Sequence, residues 1–91
     1  MALALLTTRR PSKKDVRRAR RQGKDLDRLE AIVDLLQAEA GLPARCRLHR
    51  LHGDWAGHCD CHVAPDWILL YRVTEKELVL VRTGSHSELF Q

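Results

Sequence analysis

The apolar residues change rhythm near Pro43. Before it, Leu26, Leu29, Ile32, Val33 and Leu36 recur at the spacing that gathers side chains on one face of a helix. Asp25 stands where an N-cap belongs, and Gly41 and Pro43 supply the stop. Asp27, Arg28, Glu30, Asp34 and Glu39 occupy the other side. The earlier segment from Pro11 to Gln22 also suits a helix, started at Thr8 or Ser12 and ended by Gly23, with Pro11 tolerated in the first turn. Its apolar positions are chiefly Val16 and Ala19, so it is expected on the surface. Leu3 to Thr8 reads as a short edge strand.

After Pro43 the pattern is that of strands. Gly53 to Gly57 is turn-rich. From Cys59 to Ala64 the chain alternates, with Cys59, Cys61 and Val63 on one face and Asp60 and His62 on the other. Pro65-Asp66 predicts a tight turn, and Trp67 to Val73 a central strand that is apolar almost throughout. A polar turn at Glu75-Lys76-Glu77 leads to a strand from Leu78 to Val81, which Gly84 is expected to break. Ser85 to Phe90 then makes a short tail of about one helical turn. The sum is one α+β domain spanning residues 1–91, a small antiparallel sheet with a mixed edge and two N-terminal helices packed on one face.

Composition narrows this. With 91 residues, 44% of them apolar and only two Trp, one Tyr and one Phe, the core must be built from Leu, Val and Ile. The formal charge of +4 favours an anionic partner, and its placement says more. Arg9, Arg10, Lys13, Lys14, Arg17, Arg18, Arg20 and Arg21 crowd the first helix with a single acid, Asp15. This is either a solvated face or a phosphate-tracking one. The opening apolar run, Met1 to Leu6, is too short for a signal peptide and lacks a leading cation. No stretch is long enough to span a membrane. Cys46, Cys59 and Cys61 lack framework spacing and read as reduced thiols, which places the chain in the cytoplasm.

Chemistry concentrates in the histidines, His49, His52, His58, His62 and His86. A metal site at His58-Cys59-Asp60-Cys61-His62 is disfavoured. On one strand the cysteines point away from His58 and His62, so they cannot share a tetrahedral ion. A second reading is ordinary surface histidine. A third is acid–base cleavage of RNA by the ribose 2′-OH, which needs a base, an acid and a cation but neither metal nor cofactor. His62 on the non-cysteine face, Asp66 in the next turn, Arg82, and His86 just beyond its strand form a plausible pocket for it.

Three runs carry a family resemblance: Leu51-His52-Gly53-Asp54-Trp55-Ala56-Gly57, then Asp60-Cys61-His62-Val63-Ala64-Pro65-Asp66-Trp67-Ile68-Leu69-Leu70-Tyr71, then Val81-Arg82-Thr83-Gly84-Ser85-His86-Ser87-Glu88-Leu89-Phe90. They resemble YafQ-type toxins of the RelE/ParE superfamily, ribosome-dependent mRNA endonucleases of bacterial type II toxin–antitoxin systems. The resemblance is specific from about Pro43 onward and looser upstream. It implies a RelE-like fold and catalytic positions at His49, His62, Asp66 and His86. Arg82 is implied as the phosphate-stabilising arginine and Phe90 as a base-stacking or core-capping aromatic. His86 is then the acid, and His49 or Asp66 the base. The implied partners are a cognate antitoxin and the ribosomal A site with its mRNA, the basic helix (Lys13, Lys14, Arg17, Arg18, Arg21) meeting rRNA phosphates.

Where the family usually has a pair such as Tyr-Arg, this chain has His58-Cys59, which removes a cation near the site. His52 is expected as plain surface. Two other outcomes stand beside the nuclease: a ParE-like toxin that binds DNA gyrase without cleaving anything, and a degenerate toxin that only binds its antitoxin.

Overall fold

The computed structural model describes residues 7–11 and 13–90. Its elements are β1 (Thr7–Arg9), α1 (Lys13–Arg21), α2 (Leu26–Gln37), β2 (His49–Arg50), β3 (Cys59–Ala64), β4 (Trp67–Val73), β5 (Glu77–Gly84) and α3 (His86–Phe90). Single 3-10 turns lie at Ala44–Cys46 and Gly53–Trp55. The strand order is β1-β5-β4-β3-β2. Neighbours from β2 to β5 are antiparallel, and β1 joins β5 in parallel, which makes the mixed edge. Residues 3–6 of the expected first strand, and Ser12 as a helix start, lie outside the described residues.

α2 forms as its periodicity demands. The Asp25 side chain accepts from the Asp27 N–H at 3.0 Å and caps the first turn. Leu29, Ile32, Val33 and Leu36 are buried against Cys61, Val63, Trp67, Leu69, Tyr71, Leu78 and Leu80. Each such side chain contributes about 1.5–3 kcal/mol of transfer free energy. The helix stops at Gln37, before Gly41, and the chain turns through Glu39 at φ 56°.

The even apolarity of β4 has a structural cause: both faces of the sheet are covered. Trp67, Leu69 and Tyr71 face the helices. Ile68 and Leu70 face the opposite way, under Leu89 and Phe90 of α3 and under Leu51 and Trp55. The expectation of helices on one face therefore holds for α1 and α2, while α3 closes the other.

Two expectations need correction. The last strand does not end at Val81: it runs from Glu77 to Gly84, its final residue, with Ser85 before α3. Nor is α1 only a surface helix, because Asp15 is as buried as the core, at 1% exposure. β1 pairs with β5 only from Glu77 to Val79, which leaves the edge of β5 bare beyond. Side chains of α1 serve that edge at Thr83. Asp15 accepts from the Thr83 N–H at 3.3 Å, and Arg18 donates to the Thr83 carbonyl at 3.3 Å. A strand edge thus gains hydrogen bonds without another strand.

Candidate active site

Strand register gathers the predicted residues on the sheet face opposite α1 and α2. His49 pairs with Asp60, Asp60 with Leu70, and Leu70 with Arg82. One step along, His62 pairs with Ile68 and Ile68 with Gly84. Paired residues share a face, and strands lie about 4.8 Å apart, so these two rows form a shallow band roughly 14 Å across. His86 begins α3 two residues past Gly84. Asp66 occupies the β3–β4 turn, where its Oδ1 accepts from the His86 backbone N–H at 3.4 Å. Asp66 and His86 are both exposed and His62 is half-buried.

His49 lies further out, on the two-residue edge strand β2, and is exposed. Its Nδ1 stands 3.4 Å from Oδ1 of Asp60. Asp60 is buried, and that oxygen makes no hydrogen bond. A buried carboxylate oxygen facing an imidazole favours the N–H on Nδ1 and leaves Nε2 as the acceptor. Asp60 was legible only as a polar residue on the right face. Its partner depends on β2, which the sequence pattern did not announce.

Arg82 is held by Asp15. Its Nε donates to Oδ2 at 3.1 Å and its Nη2 to Oδ1 at 3.0 Å. These hydrogen bonds raise its already high affinity for the proton, against an opposing desolvation. The side-on pairing uses Nε and one Nη2 hydrogen, so both Nη1 hydrogens stay available on a side chain 37% exposed. Asp15 was visible in the sequence only as the lone acid of a basic helix.

The same carboxylate corrects the reading of Arg18. This residue is turned inward, donating to Asp15 at 3.1 Å and pairing with Glu88 of α3 at 3.0 Å. An arginine so engaged is spoken for within the fold, because two carboxylates and the Thr83 carbonyl already satisfy it. Lys13, Lys14, Arg17 and Arg21 remain exposed along α1.

Glu88 locks the start of α3. It accepts from the Ser85 N–H at 2.7 Å, which is the main cause of its lowered carboxyl pKa, and Arg18 reinforces the effect. Phe90 is half-buried, 5.1 Å from the His86 ring and 6.3 Å from the Trp55 ring. Of its two expected roles, core capping is present in this packing. His58 sits edge-on to Trp55 at 5.4 Å. His52 is exposed. Cys46 and Cys61 are buried core residues, and burial pushes the Cys61 thiol up to about 12. Among the described residues, no three His, Cys, Asp or Glu side chains gather as metal ligands.

Two clefts adjoin the band. One, of about 330 Å³, is lined by Arg28, Arg45, Arg47, His62, Val63, Ala64 and Pro65. The other, of about 340 Å³, is lined by Lys24, Asp25, Arg28, Ala64, Asp66 and Trp67. The site therefore combines imidazoles, carboxylates and a fixed guanidinium on an open, basic surface. That is a set suited to proton transfer at a phosphodiester.

Known proteins match this arrangement. The family model described as "Bacterial toxin of type II toxin-antitoxin system, YafQ" matches residues 5–91. The mRNA interferase toxin YafQ of Escherichia coli (strain K12) is 45% identical over 78 residues, 85% of either chain. The crystal structure of YafQ from E. coli strain BL21(DE3) superimposes with a TM-score of 0.86 at 38% identity, covering 94% of this chain and 97% of that one. The toxin in the crystal structure of the E. coli DinJ-YafQ toxin-antitoxin complex gives 0.83 at 40% identity, over 94% and 96%.

Proposed function

Because the chain belongs to the YafQ family of type II toxin–antitoxin toxins and is an mRNA interferase, we propose that it cleaves ribosome-bound mRNA through His49, His62, Asp66, His86 and Arg82. A cognate antitoxin is its partner, as in the DinJ-YafQ complex. The reaction needs no metal. The ribose 2′-OH loses its proton to a base and attacks the adjacent phosphorus. The P–O5′ bond breaks, a 2′,3′-cyclic phosphate forms, and an acid protonates the departing 5′ oxygen.

In-line displacement places base and acid on opposite sides of the phosphorus. His86 is the acid. Asp66 touches the His86 backbone and so stands on the acid's side. That favours His49 as the base, oriented by Asp60. Asp66 then positions the start of α3. Arg82 directs its free Nη1 hydrogens at the phosphorane, and charged His62 assists. Phe90, whose ring lies 5.1 Å from that of His86, stacks on a base. Lys13, Lys14, Arg17 and Arg21 contact rRNA phosphates in the A site. The site of action is the cytoplasm.

The observation that carries this reading is the register that sets His49, His62 and Arg82 on one face with Asp66 and His86 at its rim. The test maps mRNA ends on translating ribosomes. Wild-type protein is expected to cut, and His86→Ala to lose about 10²–10⁴-fold in rate, the usual worth of general acid catalysis. Cleavage by His86→Ala at the wild-type rate overturns the assignment. A folded wild-type chain that binds antitoxin but cuts nothing is instead a degenerate toxin.

A further inference from the structure

We infer that Arg28, Arg45 and Arg47 form a phosphodiester subsite that grips the message beside the scissile bond. This rests on the cleavage reading above. The three arginines come from α2 and from the middle and C-cap of the 3-10 turn before β2, yet line one cleft of about 330 Å³ together with His62. Among the described residues, no carboxylate lines that cleft.

What sets these three arginines apart is that they share one cleft with His62 while unpaired. Arg9 is matched with Glu77, Arg10 with Glu30, Arg18 with Asp15 and Glu88, and Arg82 with Asp15, whereas Arg17, Arg20, Arg21, Arg50 and Arg72 stand on the surface without an ion pair among the described residues. Arg28, Arg45 and Arg47 have no ion pair and no side-chain hydrogen bond among the described residues, and all three are exposed. Three like charges around one cleft repel unless an anion joins them. A second feature marks the spot. Arg47 holds a left-handed backbone at φ 45°, a conformation that costs a side-chain-bearing residue energy. It is kept by the Arg47 N–H bond to the Ala44 carbonyl at 3.1 Å.

Position identifies the anion. Arg28 and Ala64 also line the neighbouring cleft that contains Asp66, so Arg28 adjoins both His62 and Asp66, while Arg45 and Arg47 adjoin His62. Asp25 lies in that second cleft, but its Oδ1 is occupied by the cap of α2. Guanidinium groups bind phosphate oxygens in bidentate fashion. A strand crossing the band would therefore leave a backbone phosphate in this cleft. The ligand is single-stranded RNA, held by its backbone one step from the reacting group.

The test uses a short single-stranded oligoribonucleotide with a 2′-deoxy residue at the cleavage position, binding to the full chain at several salt concentrations. Arg45→Gln/Arg47→Gln is expected to weaken binding about tenfold at low salt. It should flatten the log–log salt slope by about 0.7, the worth of one single-strand phosphate contact. Arg72→Gln, an exposed arginine outside the cleft, should leave the slope as it is. On translating ribosomes the double substitution should raise KM rather than lower kcat. An unchanged slope for the double variant overturns the subsite. So does a variant that keeps its oligonucleotide affinity but loses affinity for message-free ribosomes, since the arginines would then read ribosomal RNA. A wild-type chain that shows the salt signature and yet cuts no message sinks the cleavage reading alone.

Discussion

Removing the Asp15 carboxylate is the most demanding perturbation this fold offers. That group is 1% exposed and accepts four hydrogen bonds: from Arg82 Nε and Nη2 at 3.1 and 3.0 Å, from Arg18 Nη2 at 3.1 Å, and from the Thr83 N–H at 3.3 Å. Asp15→Ala leaves a strand-edge N–H without a partner and two guanidiniums without their shared counter-ion. Breaking a buried ion pair from one side costs about 3–5 kcal/mol. Arg82 at 37% exposure and Arg18 at 22% recover some hydration, so the lower end, about 3 kcal/mol, is expected. Small domains hold only about 5–15 kcal/mol in total. At roughly 4–8 °C per kcal/mol for a chain of this size, Tm should fall by about 12–24 °C. Urea and thermal unfolding of the two proteins measure this directly. A double-mutant cycle with Arg82→Met should return a coupling above about 1 kcal/mol. A loss from Asp15→Ala below about 1 kcal/mol would refute the claim that this carboxylate ties α1 to β5.

Two further outcomes follow from the same corner. A Cβ added at Gly84 would lie 2.8 Å from Arg18 Nη2, 3.0 Å from Glu88 Oε1 and 3.3 Å from Leu89 Cδ2; Gly84→Ala should cost about 1–3 kcal/mol in urea unfolding and slow mRNA cleavage by shifting the helix that begins with His86. The lowered Glu88 carboxyl, owed first to the Ser85 N–H, contributes stability that is complete above the ordinary value of 4.5 and is lost as pH falls through the depressed folded value. Glu88→Gln should therefore flatten the acid limb of a stability–pH curve, and an unaltered limb counts against the role given to that hydrogen bond.

Much of this protein is readable along the chain because the signals are local. The 3.6-residue stripe of α2, its Asp25 cap and the alternation of β3 each depend on neighbours in sequence. His62, Asp66 and His86 stand out by residue type and by resemblance to a family. Other features were misread or missed where their cause lies far away. Gly84 is legible as the end of the strand, but the reason it must be glycine is not: Arg18, Glu88 and Leu89 leave no room for a side chain there. Arg18 looks like its exposed neighbours on α1 until Glu88, 70 positions on, is brought beside it.

The sequence alone determined the α+β class, the main helical core and the kinds of group available for chemistry. Those follow from periodicity and residue type, which survive in any register. Only the tertiary structure decided which charges are free. Asp15, Glu88 and the bare edge of β5 claim Arg18 and hold Arg82, while Arg28, Arg45 and Arg47 converge without a counter-ion. A charge is available or spent according to what lies within a few ångströms, and those neighbours are set by long-range packing.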